Sequence, residues 1–237
     1  MILADPQLAD ATTLLTTDRP ALTEAHAAQL LREHYGLEGE LETQDSERDQ
    51  NFLLRPASGQ ACVLKIANSA EAEAITDFQI AALLHLENSA IAARIPKVVR
   101  TIDGSTRIHV SAQDGRTHTA RVLSWLPGDV LRPESLGANS PCRMGELIAA
   151  LGAALLDFEH PASDYPLLWD IKRASGLREL LDTVADPALR AVLAAHLDTF
   201  VSEVELRLSE LRWQVIHNDL NPGNVCLLYT SDAADDN

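Results

Sequence analysis

His217-Asn218-Asp219-Leu220-Asn221-Pro222-Gly223-Asn224 sets an aspartate and an asparagine five positions apart on a loop containing Pro-Gly. The loop follows Trp213 to Ile216, an apolar stretch read as a short buried strand. Phosphoryl transfer asks for this arrangement. A carboxylate orients the attacking hydroxyl and takes its proton, and an amide oxygen a turn later ligates Mg2+ on the nucleotide phosphates. Few other side chains are needed, because the work is positioning and charge stabilisation. Asp219 and Asn224 are the candidates for these two roles, and His217 for bracing the loop by hydrogen bonds. The plain alternative is a surface turn rich in Asn and Asp.

The octapeptide resembles the H-x-D-x-x-x-x-N catalytic loop of protein kinases, in the form used by aminoglycoside phosphotransferases and choline kinases. That resemblance implies Asp219 as catalytic base and Asn224 as a magnesium ligand, with ATP as phosphoryl donor. Further upstream, Cys62-Val63-Leu64-Lys65-Ile66 is an apolar strand interrupted by one lysine. It matches the kinase strand whose lysine reaches the α and β phosphates. A lysine snorkelling from a sheet edge is the ordinary alternative. The helix after it offers Glu71 and Glu73 as partners for Lys65, while Gln79 stands nearer the position of the family's glutamate.

The turn expected over the phosphates, Ser46 to Phe52, reads SERDQNF and holds no glycine. By the family's habit Ser46 and Asn51 donate to the β-phosphate there. SERDQNF followed by VLKIAN resembles the hydroxylysine-kinase-like branch, including kinase domains fused ahead of class III aminotransferases, and favours an amino-alcohol substrate over an aminoglycoside. Ser124-Trp125-Leu126-Pro127-Gly128 resembles the family's hinge, which implies that the Ser124 carbonyl and the Leu126 N–H meet adenine. His160, Trp169 and Asp170 are the substrate candidates, an aromatic face with a carboxylate being suited to an ammonium group.

Working outward, the N-terminal half reads as strands with inserted helices. After a helix in the ALTEAHAAQLLREHYGL stretch that follows Asp18-Arg19-Pro20, segments 40–45, 51–56 and 61–66 form an antiparallel meander. A helix over 70–86 follows, then strands at 97–102, 107–112 and 119–125, with turns at Asp103-Gly104 and Asp114-Gly115. From Leu126-Pro127-Gly128 onward helices dominate, at 143–159, 177–183 and 187–210. The expected fold is α+β and bilobal, protein-kinase-like: an N-lobe antiparallel sheet with one main helix, and a mostly helical, incomplete C-lobe. The expected segments are 1–39, an N-terminal helix; 40–123, the N-lobe; 124–128, the hinge; 129–225, the partial C-lobe; and 226–237, a tail.

The chain has 237 residues, enough for one large domain or two lobes. Lys and Arg number 19 against 35 Asp and Glu, a net charge of −16, which argues against a nucleic-acid surface and suits an amine-bearing partner. No apolar run spans a bilayer and residues 1–20 lack the layout of a signal peptide, so the cytoplasm is the expected address and no membrane partner is expected. Oligomeric state is not readable. Cys62, Cys142 and Cys226 lie far apart, which suggests neither a zinc site nor a disulfide, and Cys62 and Cys142 are expected to be buried.

The family places a second magnesium-binding acid beyond Asn224, and no matching segment is present. Instead, Cys226 to Asp236, CLLYTSDAADD, back-translates as TGT CTC TTA TAC ACA TCT GAC GCT GCC GAC GAY, which resembles a transposon-derived sequencing adapter. Residues from about Cys226 are therefore expected to be read-through, and Asp232, Asp235 and Asp236 are not taken as metal ligands. On that reading this polypeptide is inactive and poorly soluble, with apolar faces of 143–159 and 187–210 uncovered. Two other readings remain, a kinase-like nucleotide-binding module without catalysis and a kinase domain fused to a pyridoxal-phosphate-dependent lyase.

Overall fold

The computed structural model describes residues 13, 16–112, 115–132, 134, 136–137, 139–167 and 169–228. Asp114, Asp232, Asp235 and Asp236 lie outside the described residues. Residues 18–163 with 214–228 form one compact unit, and 164–213 belong to a second.

The larger unit is built on an antiparallel sheet. Its strands are β1 (Glu40–Gln44), β2 (Gln50–Arg55), β3 (Cys62–Ile66), β4 (Val98–Val99), β5 (Ile108–Ser111) and β6 (Thr117–Ser124). They run in the order β1-β2-β3-β6-β4, with β5 also paired to β6. The meander expected over β1 to β3 is present. Gly59, at φ 98°, turns β2 back into β3 in a conformation that costs a side-chain-bearing residue more. Period-two alternation divides the two faces of the sheet. Cys62, Leu64 and Ile66 join Phe52, Leu54, Ala120 and Val122 in the main core, beneath helix α1 (Glu24–Leu30) and its continuation Leu31–Tyr35. Fully burying each such large side chain is worth roughly 1.5–3 kcal/mol. Val63 and Leu123 turn to the other face, where they meet Ile80, Leu83 and Leu84 of helix α2 (Glu73–Leu86).

Two helix starts differ from expectation for local reasons. α1 starts at Glu24 rather than at the head of the ALTEAHAAQLLREHYGL stretch, capped by Thr23, whose hydroxyl accepts from the His26 N–H at 3.2 Å. α2 begins at Glu73 and not Ala70, because Asn68 takes the Ala70 N–H on its side chain and the Glu71 N–H on its carbonyl, closing a turn that competes with the helix.

Beyond β6, strand β7 (Gly128–Val130) pairs with β8 (Cys226–Leu228), so the start of the expected tail is strand. A Cβ on Gly128 would lie 2.2 Å from the Leu227 carbonyl oxygen, which only glycine tolerates. Helix α3 (Ser140–Ala154) follows β7. Cys142, in its first turn, is exposed rather than buried, while Cys62 is buried as expected. In the expected strand at Trp213–Ile216 no ladder forms; Trp213 and Ile216 are 52% and 57% exposed. The Gln214 side chain bonds the Gly152 carbonyl of α3 instead, at 2.7 Å.

The smaller unit holds a 3-10 helix at Ile171–Thr183 and helix α4 (Pro187–Thr199), which Asp186 caps and Pro187 starts. The single helix expected to Glu210 breaks up after Thr199 into π and 3-10 turns. Thr199 and Ser202 bond carbonyls of the preceding turn, at Ala195 and Thr199, and such back-bonding loosens a regular ladder. As expected, apolar side chains on both long helices are exposed, among them Ile148, Leu189 and Val192. Among the described residues no helix is long and apolar enough to cross a membrane.

Candidate functional site

Lys65 stands on the α2 side of the sheet with Asn51 of β2 and Arg121 of β6 as its register neighbours. Burial pulls the Lys65 ammonium below its usual range; Asp49 and Glu71 oppose that, and Arg121 and Arg48 add to it. Of the three partners left open by the sequence, Glu71 is among the charges that raise the Lys65 ammonium, after Asp49. It lies just ahead of α2, accepts the Thr76 hydroxyl at 2.9 Å, and is pushed up first by burial and then by Asp49. Glu73 is engaged by Arg107 and His109, and Gln79 accepts a hydrogen bond from Arg121.

The glycine-free turn between β1 and β2 is held from outside. Asn68, 1% exposed, donates to the Arg48 and Asp18 carbonyls at 3.3 and 3.4 Å, and its N–H meets Asp49 Oδ1 at 3.3 Å. The Ser46 carbonyl accepts from Arg19 at 2.6 Å. Asn51 Oδ1 and Arg121 Nε are buried with no hydrogen-bond partner among the described residues. Arg121 and Asn68 are the residues that sequence reading missed. The signal for Arg121 was available: a charge inside the apolar run Ala120 to Leu123, the same signal that marked Lys65.

At the other end of these strands, Ser124 closes β6, its N–H donating to the Lys97 carbonyl and its hydroxyl accepting from the Lys97 N–H, both at 2.8 Å. Trp125 N–H bonds the Ala61 carbonyl, and Leu126 N–H has no backbone acceptor among the described residues. An open cavity of about 1030 Å3 lies here, lined by Arg55, Gln60, Ala61, Trp125, Gly128 and Arg132.

The 217–224 loop is bound together by its own amides. Asn218 adopts φ 60°, a conformation asparagine tolerates better than most residues, and reverses the chain so that Asp219 N–H meets His217 Nδ1 at 3.3 Å. Desolvation lowers the His217 imidazole below its ordinary 6.5, with the Asp219 charge opposing, and Nδ1 is the acceptor of the Asp219 N–H. Asn221 Nδ2 donates to Asp219 Oδ1 at 2.8 Å while its own Oδ1 caps the Gly223 N–H at 2.8 Å. Asn224 Nδ2 donates to the Asp219 carbonyl at 2.8 Å and to Oδ2 at 2.9 Å. The carboxylate is thus gripped from two sides on an exposed loop.

The substrate candidates fall in both units. His160 sits in a ring cluster with Phe78 and Phe158, at 5.5 and 6.5 Å between centroids, and its Nδ1 accepts from the Ala162 N–H. Trp169 and Asp170 belong to the smaller unit, where Asp170 caps the 3-10 helix and pairs with Lys172 at 3.3 Å.

A family model described as "Phosphotransferase enzyme family" matches residues 42–233. Hydroxylysine kinase from Mus musculus is 27% identical over 228 residues, 87% of this chain and 59% of that protein. Hydroxylysine kinase from Bos taurus is 26% identical over 235 residues, 92% of this chain and 62% of that protein. The chain spans about three fifths of the length of these relatives. Among solved structures, amicoumacin kinase hAmiN in complex with AMP-PNP, Ca2+ and Ami has a similar fold. Its TM-score is 0.60 over 81% of this chain and 55% of that one, at 14% identity. The match thus runs from β1 through the Lys65 strand to beyond the Asp219 loop, and the chain belongs to the phosphotransferase enzyme family.

Proposed function

We propose that this chain carries the nucleotide-holding sheet and the catalytic loop of an ATP-dependent kinase that phosphorylates a hydroxyl on a small amine-bearing molecule. Hydroxylysine or a related amino alcohol is favoured over an aminoglycoside. The observation that carries the reading is the amide grip on Asp219: a carboxylate oriented by Asn221 and Asn224 on an exposed loop suits a base that must meet a substrate hydroxyl. In this reading Lys65 meets the α and β phosphates, Ser46 and Asn51 lie over the β-phosphate, and Ser124 and Leu126 present main-chain groups to adenine. His217 braces the loop. Support for the amino-alcohol class comes from the hydroxylysine kinases among the relatives.

The donor chemistry suits magnesium. The Asn224 side-chain amide supplies a hard oxygen, and its Nδ2 is held by Asp219. No group of three or more His, Cys, Asp or Glu is arranged for a metal among the described residues. Mg2+ commonly takes only one or two protein oxygens and completes its shell with phosphates and water. Bound there, the ion neutralises phosphate charge while Asp219 and Asn224 hold their side chains in place.

The test is an ATP-consumption assay over a panel of amino alcohols and aminoglycosides. It is run on this chain and on the reading frame recovered by resequencing the source locus. ATP-dependent phosphorylation of an amino alcohol by the recovered protein is the expected result. A recovered protein that binds nucleotide but phosphorylates nothing on the panel would instead favour the non-catalytic module.

A further inference from the structure

The kinase strut between a β3 lysine and a helix glutamate is missing here in its direct form. Glu73 is spoken for by Arg107, and Gln79 carries no charge. What the sheet supplies in its place is Arg121, 5% exposed and directly opposite Lys65 in the β3–β6 register. Two like charges facing each other across a ladder repel, so their side-by-side burial needs an explanation. Arg121 donates to Gln79 Oε1 in the middle of α2, linking the sheet to that helix, while its Nε is left buried without an acceptor. The charged groups acting on this spot come from every neighbouring element: Arg48 and Asp49 from the β1–β2 turn, Glu71 from ahead of α2, and Lys65 itself from β3.

Resting on the kinase reading above, we infer that Arg121 is a positioning residue: through Gln79 it fixes α2 against the sheet, and its charge, opposite Lys65 in the register, bears on the lysine that is to meet nucleotide phosphate. Burial is the largest influence on Arg121, and Glu71 and Asp49 are the carboxylates that offset it.

The experiment titrates a non-hydrolysable ATP analogue with Mg2+ into the chain and its variants by calorimetry across alkaline pH, with thermal melts to confirm folding. Lys65→Met establishes that the nucleotide reading holds; if the unsubstituted chain binds no analogue, that reading and this inference fall together. Given binding, Arg121→Met and Gln79→Met should each weaken it about 10-fold, and the double variant should be no weaker than either single, the mark of two groups acting as one. Gln79→Glu should retain affinity, since a carboxylate still receives Arg121.

The charge gives a second readout that a packing role does not move. Removing a cation beside Lys65 lets its ammonium persist to higher pH, so the alkaline loss of affinity should shift upward in Arg121→Met and stay in place in Gln79→Met. Should Arg121→Met fail to fold, Arg121→Lys keeps the charge without the planar fork and should weaken binding non-additively with Gln79→Met, its pH limb unmoved. Additive losses, unchanged affinity in Gln79→Met, or an alkaline limb that ignores Arg121→Met would each overturn the inference while leaving the kinase reading in place.

Discussion

Lys65 and Asp219 bear the two charges on which the proposed chemistry turns, and they are held in opposite ways. Lys65 is set into the sheet among Arg121, Glu71 and Asp49, where burial dominates its electrostatics. Asp219 is exposed, and short hydrogen bonds from its own loop orient it. The first site is tied to the core, so changing it perturbs fold and function together. The second is nearly self-contained, so changing it removes chemistry and spares the fold.

The sharpest way to break this contrast is Asp219→Asn. In the protein recovered from the source locus, phosphoryl transfer should fall by about 10³-fold, the range for a positioned general base. Melting temperature and nucleotide affinity should be unchanged, because the lost carboxylate has no tie to the core. A melting temperature that drops with activity would show the loop to be structural.

Lys65→Met should fail differently. Nucleotide-analogue affinity is expected to fall about 10- to 100-fold, and the urea midpoint should fall too, since Asp49 and Glu71 lose the ammonium on which their charges act. A variant with weakened binding and an unmoved midpoint would place Lys65 outside the cluster.

Asn68→Ala tests the sheet side without touching a candidate catalytic group. Three bonds from one buried amide side chain fasten the β1–β2 turn and the entry to α2. Their loss should destabilise the chain by roughly 2–3 kcal/mol in urea, by stranding buried partners. Nucleotide affinity should weaken less than in Lys65→Met.

Glu71 gives a pH signature. Its carboxyl is raised above 4.5, chiefly by burial, so the folded state binds more protons than the unfolded chain above that pH. Stability must therefore fall as pH rises from 4.5 through the raised value. Denaturation across that window should show the slope, and Glu71→Gln should flatten it.

These two regions were also legible to different degrees. The 217–224 loop could be read because its chemistry is local: each hydrogen bond that holds Asp219 comes from within the same eight residues. The strands of the meander were equally readable, since alternating apolar runs and Ser58-Gly59 are short-range signals. Lys65 was found as an isolated charge in an apolar strand, but its surroundings were not, because Arg121 meets it only through the β3–β6 register, 56 residues away in the chain. The strand expected over Trp213–Ile216 failed for the same reason. An apolar run forms a strand only where a neighbour offers a ladder, and here a Gln214 side chain reaches a helix carbonyl instead.

The smallest effect lies at Asn218, whose φ of 60° makes the loop's reversal possible. Glycine meets that conformation without a Cβ penalty but is freer in the unfolded chain, and the two effects nearly cancel. Asn218→Gly should therefore change stability by less than about 0.5 kcal/mol and leave turnover close to unchanged. A β-branched residue has no such latitude: Asn218→Val should cost about 1–2 kcal/mol locally. Because the loop has so few ties to the core, that strain should appear as misplacement of Asp219 rather than as a lower melting temperature. Turnover that falls in Asn218→Val with the melt unmoved would support a self-contained loop, and a melt that falls in step would refute it.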